Sequence, residues 1–274
     1  MQKVCSTRTL IRKWSHLNLS YGVVPAILLI MIIAGCKKKA DYYPPTPMTA
    51  YFNQLQVGKY ITYRMDSLNF YYYGQLDTLT SYLAKDSVEA AITDNQGRPG
   101  WEVVRYLNDT MGAGPWVPGE TYVVTPTVNT VEVVENNLRS IKLALPLNEG
   151  FNWTGNTYLP YAPYQGLFDF SDDSHLSLGR WNFTYQNVNK RYQTGNRTYD
   201  STVTVTQVND SINVPILDPK SFASKTYWVE VYARNIGLIS RRTQMWEYQP
   251  PTPNGTLRGY KVGFIVSLRM VDHN

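Results

Sequence analysis

From Thr49 onward the chain alternates short apolar runs with polar punctuation. Val, Ile, Thr, Tyr and Trp cluster in stretches divided by Gly, Pro, Asn and Asp, which is the pattern of β-strands and turns. The alternation is plainest over residues 201–208, where Val203, Val205 and the Thr residues between them exchange places along the strand. Further strands are predicted over 60–65, 80–88, 101–107, 122–125, 131–134, 140–145, 181–186, 228–232, 238–247 and 261–270. Asp94-Asn95-Gln96-Gly97 reads as a turn, because Asn and Gly accept positive φ. Short helices are predicted only over 49–55 and 219–224, and no long amphipathic helical pattern occurs. The expected fold is all-β: an antiparallel curved sheet or open barrel with one face buried.

Three pieces of the chain recur in order. Val57-Gly58-Lys59-Tyr60 is echoed by Leu178-Gly179-Arg180-Trp181, Leu76-Asp77-Thr78-Leu79 by Tyr199-Asp200-Ser201-Thr202, and Gly100-Trp101-Glu102-Val103 by Tyr227-Trp228-Val229-Glu230. Two similar β-meander halves, 49–165 and 166–274, would produce this. The limited vocabulary of turn-and-strand sequences would as well.

The N-terminus has a different character. Lys3, Arg8, Arg12 and Lys13 precede an apolar run over residues 23–35, which ends in Ile33-Ala34-Gly35-Cys36 and is followed by Lys37-Lys38-Lys39. As a helix, the run would extend about 20 Å, short of the ~30 Å hydrocarbon core. It reads as a signal-peptide core over 1–35, with Cys36 as the lipidated first residue of the mature chain. Two or three acyl chains of the palmitate kind hold a protein on a membrane where one does not. Residues 36–48, with Pro44, Pro45 and Pro47, read as an extended tether, and 49–274 as the folded β-rich envelope domain.

Removal of residues 1–35 changes the charge. Four basic residues and no acidic one leave, so the mature chain carries 22 basic against 21 acidic residues, or +1. The basic character of the whole chain is therefore largely that of the leader, and no nucleic-acid partner is expected. With Cys5 lost and Cys36 acylated, no thiol remains for a disulfide or a thiolate nucleophile.

Candidate chemistry is sparse. The mature chain has two histidines, His175 and His273, and no Gly-x-Ser-x-Gly elbow, phosphate-binding loop, HExxH or dinucleotide fingerprint. Asp169, Asp172, Asp173 and His175 form one cluster with metal-ligand chemistry, but the spacing is not that of an EF-hand, and a solvated loop between strands is the preferred reading, so no metal is expected. No cofactor is expected. Glu102, Glu120, Glu230 and Glu247 lie in ordinary strand contexts.

Aromatic residues make up 14% of the chain. Trp101, Trp153, Trp181 and Trp228 are expected in the core. Tyr71-Tyr72-Tyr73, Trp116, Tyr158, Tyr161 and Tyr164 fall in loops, where aromatics stack on sugars or anchor a partner protein. A further pattern is Asp, then a hydroxyl residue, then an aliphatic residue or Thr. It places Ser67, Thr78, Ser87, Thr110, Ser201 and Ser211 second in six triplets, where composition alone supplies about one or two. It resembles the O-glycosylation acceptor motif that Bacteroidota use on exported proteins. It is also what a turn entering a strand looks like.

The lipobox at Cys36, the Val57-Gly58-Lys59-Tyr60-Ile61-Thr62-Tyr63 opening, the 143–153 segment and the 231–239 segment together resemble the small, uncharacterised cell-envelope lipoproteins of Bacteroidota. The resemblance spans most of the mature chain and brings no catalytic residue with it. The Leu-Pro-Leu and Ile-Gly-Leu pieces are also similar to the curved sheets of lipoprotein carriers and sensors, an analogy of fold alone. Lys37-Lys38-Lys39 stands where surface-exported members carry acidic residues, which implies an outer-membrane protein facing the periplasm. The expected function is non-catalytic binding of an envelope protein, glycan or apolar ligand. The alternatives are a glycan hydrolase working through paired carboxylates and an accessory subunit of an outer-membrane complex.

Overall fold

The structure is a computed structural model and describes residues 47–52, 55–71, 74, 76–252 and 258–274. Cys36, the signal segment, most of the tether, and Tyr72 and Tyr73 lie outside the described residues. Twelve strands form one antiparallel sheet: β1 (Tyr60–Tyr71), β2 (Leu76–Thr93), β3 (Pro99–Asn108), β4 (Val117–Pro126), β5 (Thr130–Glu135), β6 (Leu138–Ala144), β7 (Asn152–Trp153), β8 (Phe183–Thr194), β9 (Arg197–Ile212), β10 (Ala223–Ala233), β11 (Gly237–Gln249) and β12 (Tyr260–His273). The order across the sheet is β6-β5-β4-β3-β2-β1-β12-β11-β10-β9-β8-β7. Consecutive strands are neighbours, and the first and last strands pair in mid-sheet. The sheet curls until its two outer strands nearly meet, so the fold is an almost closed up-and-down barrel.

The eleven expected strands are all present, mostly longer than their apolar runs. β1 and β2 remain paired as far as Tyr71↔Leu76, well past the buried part of the barrel. Hydrogen bonding carries the ladder outward where side chains no longer pack. Of the two expected helices, 49–55 is a single 3₁₀ turn at Met48–Tyr51. Residues 219–224 contain no helix: Asp218 accepts hydrogen bonds from the Lys220 amide and the Ser221 hydroxyl and sets a turn that runs directly into β10. Among the described residues no helix is long and apolar enough to cross a membrane.

The recurring sequence pieces open β1, β2 and β3 and then β8, β9 and β10. An offset of seven strands in an antiparallel meander reverses strand direction. It also aligns inward Ile61 and Tyr63 with Asn182 and Thr184, whereas the buried residues of β8 are Phe183 and Tyr185. The likeness therefore does not correspond to a rotation of one half onto the other, and shared turn-and-strand vocabulary accounts for it. As sheet, the two halves are β1–β6 and β7–β12.

The gap between β6 and β7 is bridged without a ladder. The Ile141 amide donates to the Gly155 carbonyl at 2.7 Å, and Trp153 Nε1 donates to the Ile141 carbonyl at 2.9 Å. Gly155 fits because a Cβ there would lie 2.3 Å from the Phe183 ring.

Strand directions define two ends. At one, the entry end, lie the start of β1, the β2–β3, β4–β5, β8–β9 and β10–β11 turns, and the Met48–Tyr51 turn, which plugs the barrel mouth. There Met48 and Tyr51 are buried, Phe52 packs on Tyr232 with ring centroids 5.3 Å apart, and the Ala50 carbonyl accepts from the Asn235 amide. At the remote end the long connection 154–182 covers the other mouth. This cap contains α1 (Asp173–Leu176) and a 3₁₀ turn at Leu178–Arg180, and it buries Phe170, His175, Leu178 and Trp181.

Candidate functional site

Between the two plugs, charged side chains span the barrel interior. Each sits in the inward phase of its strand, two residues from an apolar neighbour: Asp86 with Val88, Arg105 with Val103, Glu120 with Tyr122, Glu135 with Val133, Glu230 with Tyr232. Strand register then brings them to one level. Arg105 grips Asp86 with two hydrogen bonds at 2.7 and 2.9 Å, and Tyr122 donates to the same carboxylate at 2.9 Å. Its remaining nitrogen, Nη1, lies 3.1 Å from Glu120 and 3.5 Å from Glu135. Arg241 reaches Glu135 from across the barrel at 3.5 Å. Arg241 Nε is 2.9 Å from Glu230 Oε1, at an angle that makes no hydrogen bond. Lys142 and Tyr232 complete Glu230 at 3.1 and 2.7 Å.

This layer holds four carboxylates against three cations. Burial alone would lift Glu120, Glu135 and Glu230. In Glu135 the charges of Arg241, Arg105 and Lys142 overcome burial and bring its pKa down to about 2. In Glu230 Lys142 and Arg241 overcome burial in the same way. Glu120 goes the other way. Burial, and then the charge of Glu135, hold its pKa above the usual carboxylate value despite Arg105 and Arg241. Its Oε1 is buried and makes no hydrogen bond. Neighbouring carboxylates with pKa values pushed apart occur in acid–base sites, and buried ion-pair networks that only hold a fold together produce them as well.

Three spaces adjoin the layer. Toward the entry-end plug is a cavity of about 60 Å³, lined by Asp86, Tyr63 and Val103 among others, which is room for a few waters. Toward the cap a second, of about 40 Å³, receives the unpartnered donors Gln207 Nε2 and Trp228 Nε1. The third is an open cleft of about 470 Å³ lined by residues 119–123, Val134, Asn136 and Asn137. It exists because β5 turns back at Asn136-Asn137, both with positive φ, while β4 continues past it. A separate groove of about 540 Å³ at the remote end is walled by Phe70, Phe168, Tyr260, Asp169 and Lys261.

The residues singled out in the sequence are dispersed. Tyr158 and Tyr161 are exposed on the cap. Tyr164 turns inward, its ring centroid 5.7 Å from that of Phe264, where it lines the 40 Å³ cavity and burial raises its phenol to about 12. Trp116 is covered by the Lys85 ammonium, 4.6 Å from its ring centroid. Of the central tryptophans, Trp181 is buried, and Trp101, Trp153 and Trp228 pack partly buried against the core.

The acidic cluster on the cap points in several directions. Asp172 caps α1, accepting from the Ser174 amide and the Ser224 hydroxyl, while Asp173 takes the Ser177 hydroxyl and Asp169 takes Gln165. His175 is buried against Glu247 at 3.0 Å. Glu247 also accepts from both the Ser171 and Asp172 amides, and these bonds with that of His175 outweigh burial and lower its pKa. Among the described residues no three potential ligands converge as a metal site.

Of the triplet hydroxyls, Thr78, Thr110 and Ser211 are exposed and Ser67, Ser87 and Ser201 are half-buried. Asp109 does close a turn, accepting from the Met111, Ala113 and Gly114 amides, whereas Asp86 belongs to the ionic layer.

No family model matches the chain, and no curated protein matches it. A solved structure to which it is similar is called a "putative exported protein with YmcC-like fold", from Bacteroides fragilis. That similarity covers 79% of this chain and 97% of the other at 13% identity, with a TM-score of 0.29.

Proposed function

We propose that the chain is a bacterial envelope lipoprotein, held through acylated Cys36 on the periplasmic side of the outer membrane. It works without catalysis, by binding a partner protein at the barrel end opposite the entry end. The observation that carries this reading is an asymmetry. Of twelve exposed large hydrophobic residues among those described, ten lie at the remote end, including Leu79, Met111, Tyr161, Leu167 and Leu217. The exceptions are Val57 and Val128. The described chain enters the fold at Pro47, at the opposite end of the barrel from these ten residues. Scattered apolar residues are normal on a surface, but their confinement to one end is what an interaction face looks like.

The test is photo-crosslinking in the native host. A benzophenone amino acid at Tyr161 should form adducts with a protein, and one at Arg197, on the entry-end β8–β9 turn, should not. Equal yields from both ends, or none from either, would remove the reading. Intact mass from native membranes, with Cys36→Ala as control, tests the anchor.

A second reading is favoured by the Glu120–Glu135 pair: a glycan hydrolase with Glu120 in the general-acid role. It requires release of reducing ends from peptidoglycan, lost in Glu120→Gln. No release from the native protein would end it.

A further inference from the structure

β4 pairs with β3 as far up as Val117 but with β5 only over Val123–Pro126. Over residues 119–122 its second edge therefore has no strand partner among the described residues. An open edge presents N–H and C=O groups that template the addition of another strand. This edge forms one wall of the 470 Å³ cleft, so there is space beside it. Pro118, which cannot donate, limits it at the top, and the Asn136-Asn137 turn limits it below. Glu120 projects from the middle of this stretch, with an unpartnered buried carboxylate oxygen, in a layer one cation short of balance. The edge lies in the upper half of β4, on the remote side of the barrel.

We propose that an extended segment of a partner protein adds to β4 along residues 119–122, in line with β5, and sets a lysine or arginine side chain against Glu120. Main-chain hydrogen bonds supply affinity in such strand addition, and alternate side chains supply selectivity. The inward side chain of the added strand meets Glu120 and Glu135, and a cation there completes four charges against four. A charge-assisted pair inside a cleft is stronger than one on an open surface. The proposal rests on the partner-binding reading above and names the element that binds.

The test places the benzophenone at Thr121, which lies on the cleft wall and faces outward, in parallel with Tyr161. Adduct peptides are sequenced, and amide exchange of the full-length protein is compared with and without the crosslinked partner. Expected are Thr121 adducts to a segment with Lys or Arg within two residues of the attachment point. The amides of 119–122 that point to the open edge, alternate ones along the strand, should exchange freely alone and slow at least tenfold in the complex. Glu120→Gln should cut the Thr121 adduct yield about fivefold or more while the protein still unfolds cooperatively. Adducts at Tyr161 with none at Thr121, or Thr121 adducts indifferent to Glu120→Gln, overturn strand addition and leave partner binding standing. No adducts at either position overturn both.

Discussion

The hydroxyl of Tyr185 donates to the Ala144 carbonyl and accepts from the Ala144 amide, each at 2.8 Å. One side chain thus serves both polar groups of a peptide on the last residue of β6, where a neighbouring strand would otherwise do so. Burial keeps this phenol protonated by pushing its pKa well up. Tyr185→Phe leaves a buried N–H and C=O without partners, and each such group costs about 1–3 kcal/mol. Urea unfolding should show a loss of roughly 2–4 kcal/mol, whereas removal of the exposed Tyr161 ring should change stability by less than about 0.5 kcal/mol.

Glu120 and Glu135 should titrate with opposite effects on stability. Glu135 is depressed to about 2. Its contribution is present above the unfolded value, about 4.3, and is lost as pH falls toward 2. Glu120 is raised, so its contribution is present below about 4.3 and is lost as pH climbs through its folded value. Glu120→Gln should therefore raise the melting temperature at pH 8 by a few degrees, on the scale of about 1 kcal/mol. At pH 4 it should have little effect. Equal shifts at both pH values would remove the assignment.

Arg105 holds three carboxylates from one guanidinium. Arg105→Met strands Asp86 without its bidentate partner, and removing one member of a buried pair costs about 3–5 kcal/mol. Chemical denaturation should show that loss. A loss below about 1 kcal/mol would mean water reaches the layer freely.

Lys85 lies 5.8, 5.5 and 4.6 Å from the Tyr60, Tyr106 and Trp116 ring centroids. Lys85→Ala should cost about 0.5–1 kcal/mol and increase iodide quenching of Trp116 fluorescence, read against a Trp116→Phe control.

Glycan attachment, if the triplets direct it, should follow exposure. Peptide mapping of protein from its native membrane should find hexose-sized additions at Thr78, Thr110 or Ser211, with the half-buried Ser67, Ser87 and Ser201 unmodified. Modification confined to the half-buried set would show that attachment precedes folding.

Much of the fold was readable because a strand announces itself locally. Ser201 to Val208 alternates in eight residues, and Val203 and Val205 are indeed fully buried. Among the described residues the only strand missed was β7, two residues long, which no periodicity can show. The ionic layer was not readable in the same way. Asp86, Arg105, Glu120, Glu135, Lys142, Glu230 and Arg241 sit on seven different strands, and only register brings them level. Each alone resembles a polar residue on a solvent face, and Asp86-Ser87 was read as a modification triplet. A usable signal does exist: Arg105 shares the phase of Val103, and Glu120 that of Tyr122, so each charge sits where its strand buries its apolar residues. The cap misled for a related reason. Its aspartates and His175 are close in sequence, but a winding connection sends them to separate partners.

The pairing of β1 with β12 has a consequence for the order in which strands can pair. Ile61 lies opposite His273, so the first strand can complete its ladder only after nearly the whole polypeptide has arrived. This is the one ladder that joins strands far apart in the sequence, the others joining consecutive strands. Closing it means closing a loop of nearly the whole fold before its contacts reward it. The consecutive hairpins need no such closure, so β1 is the strand that waits, with one edge open until β12 covers it.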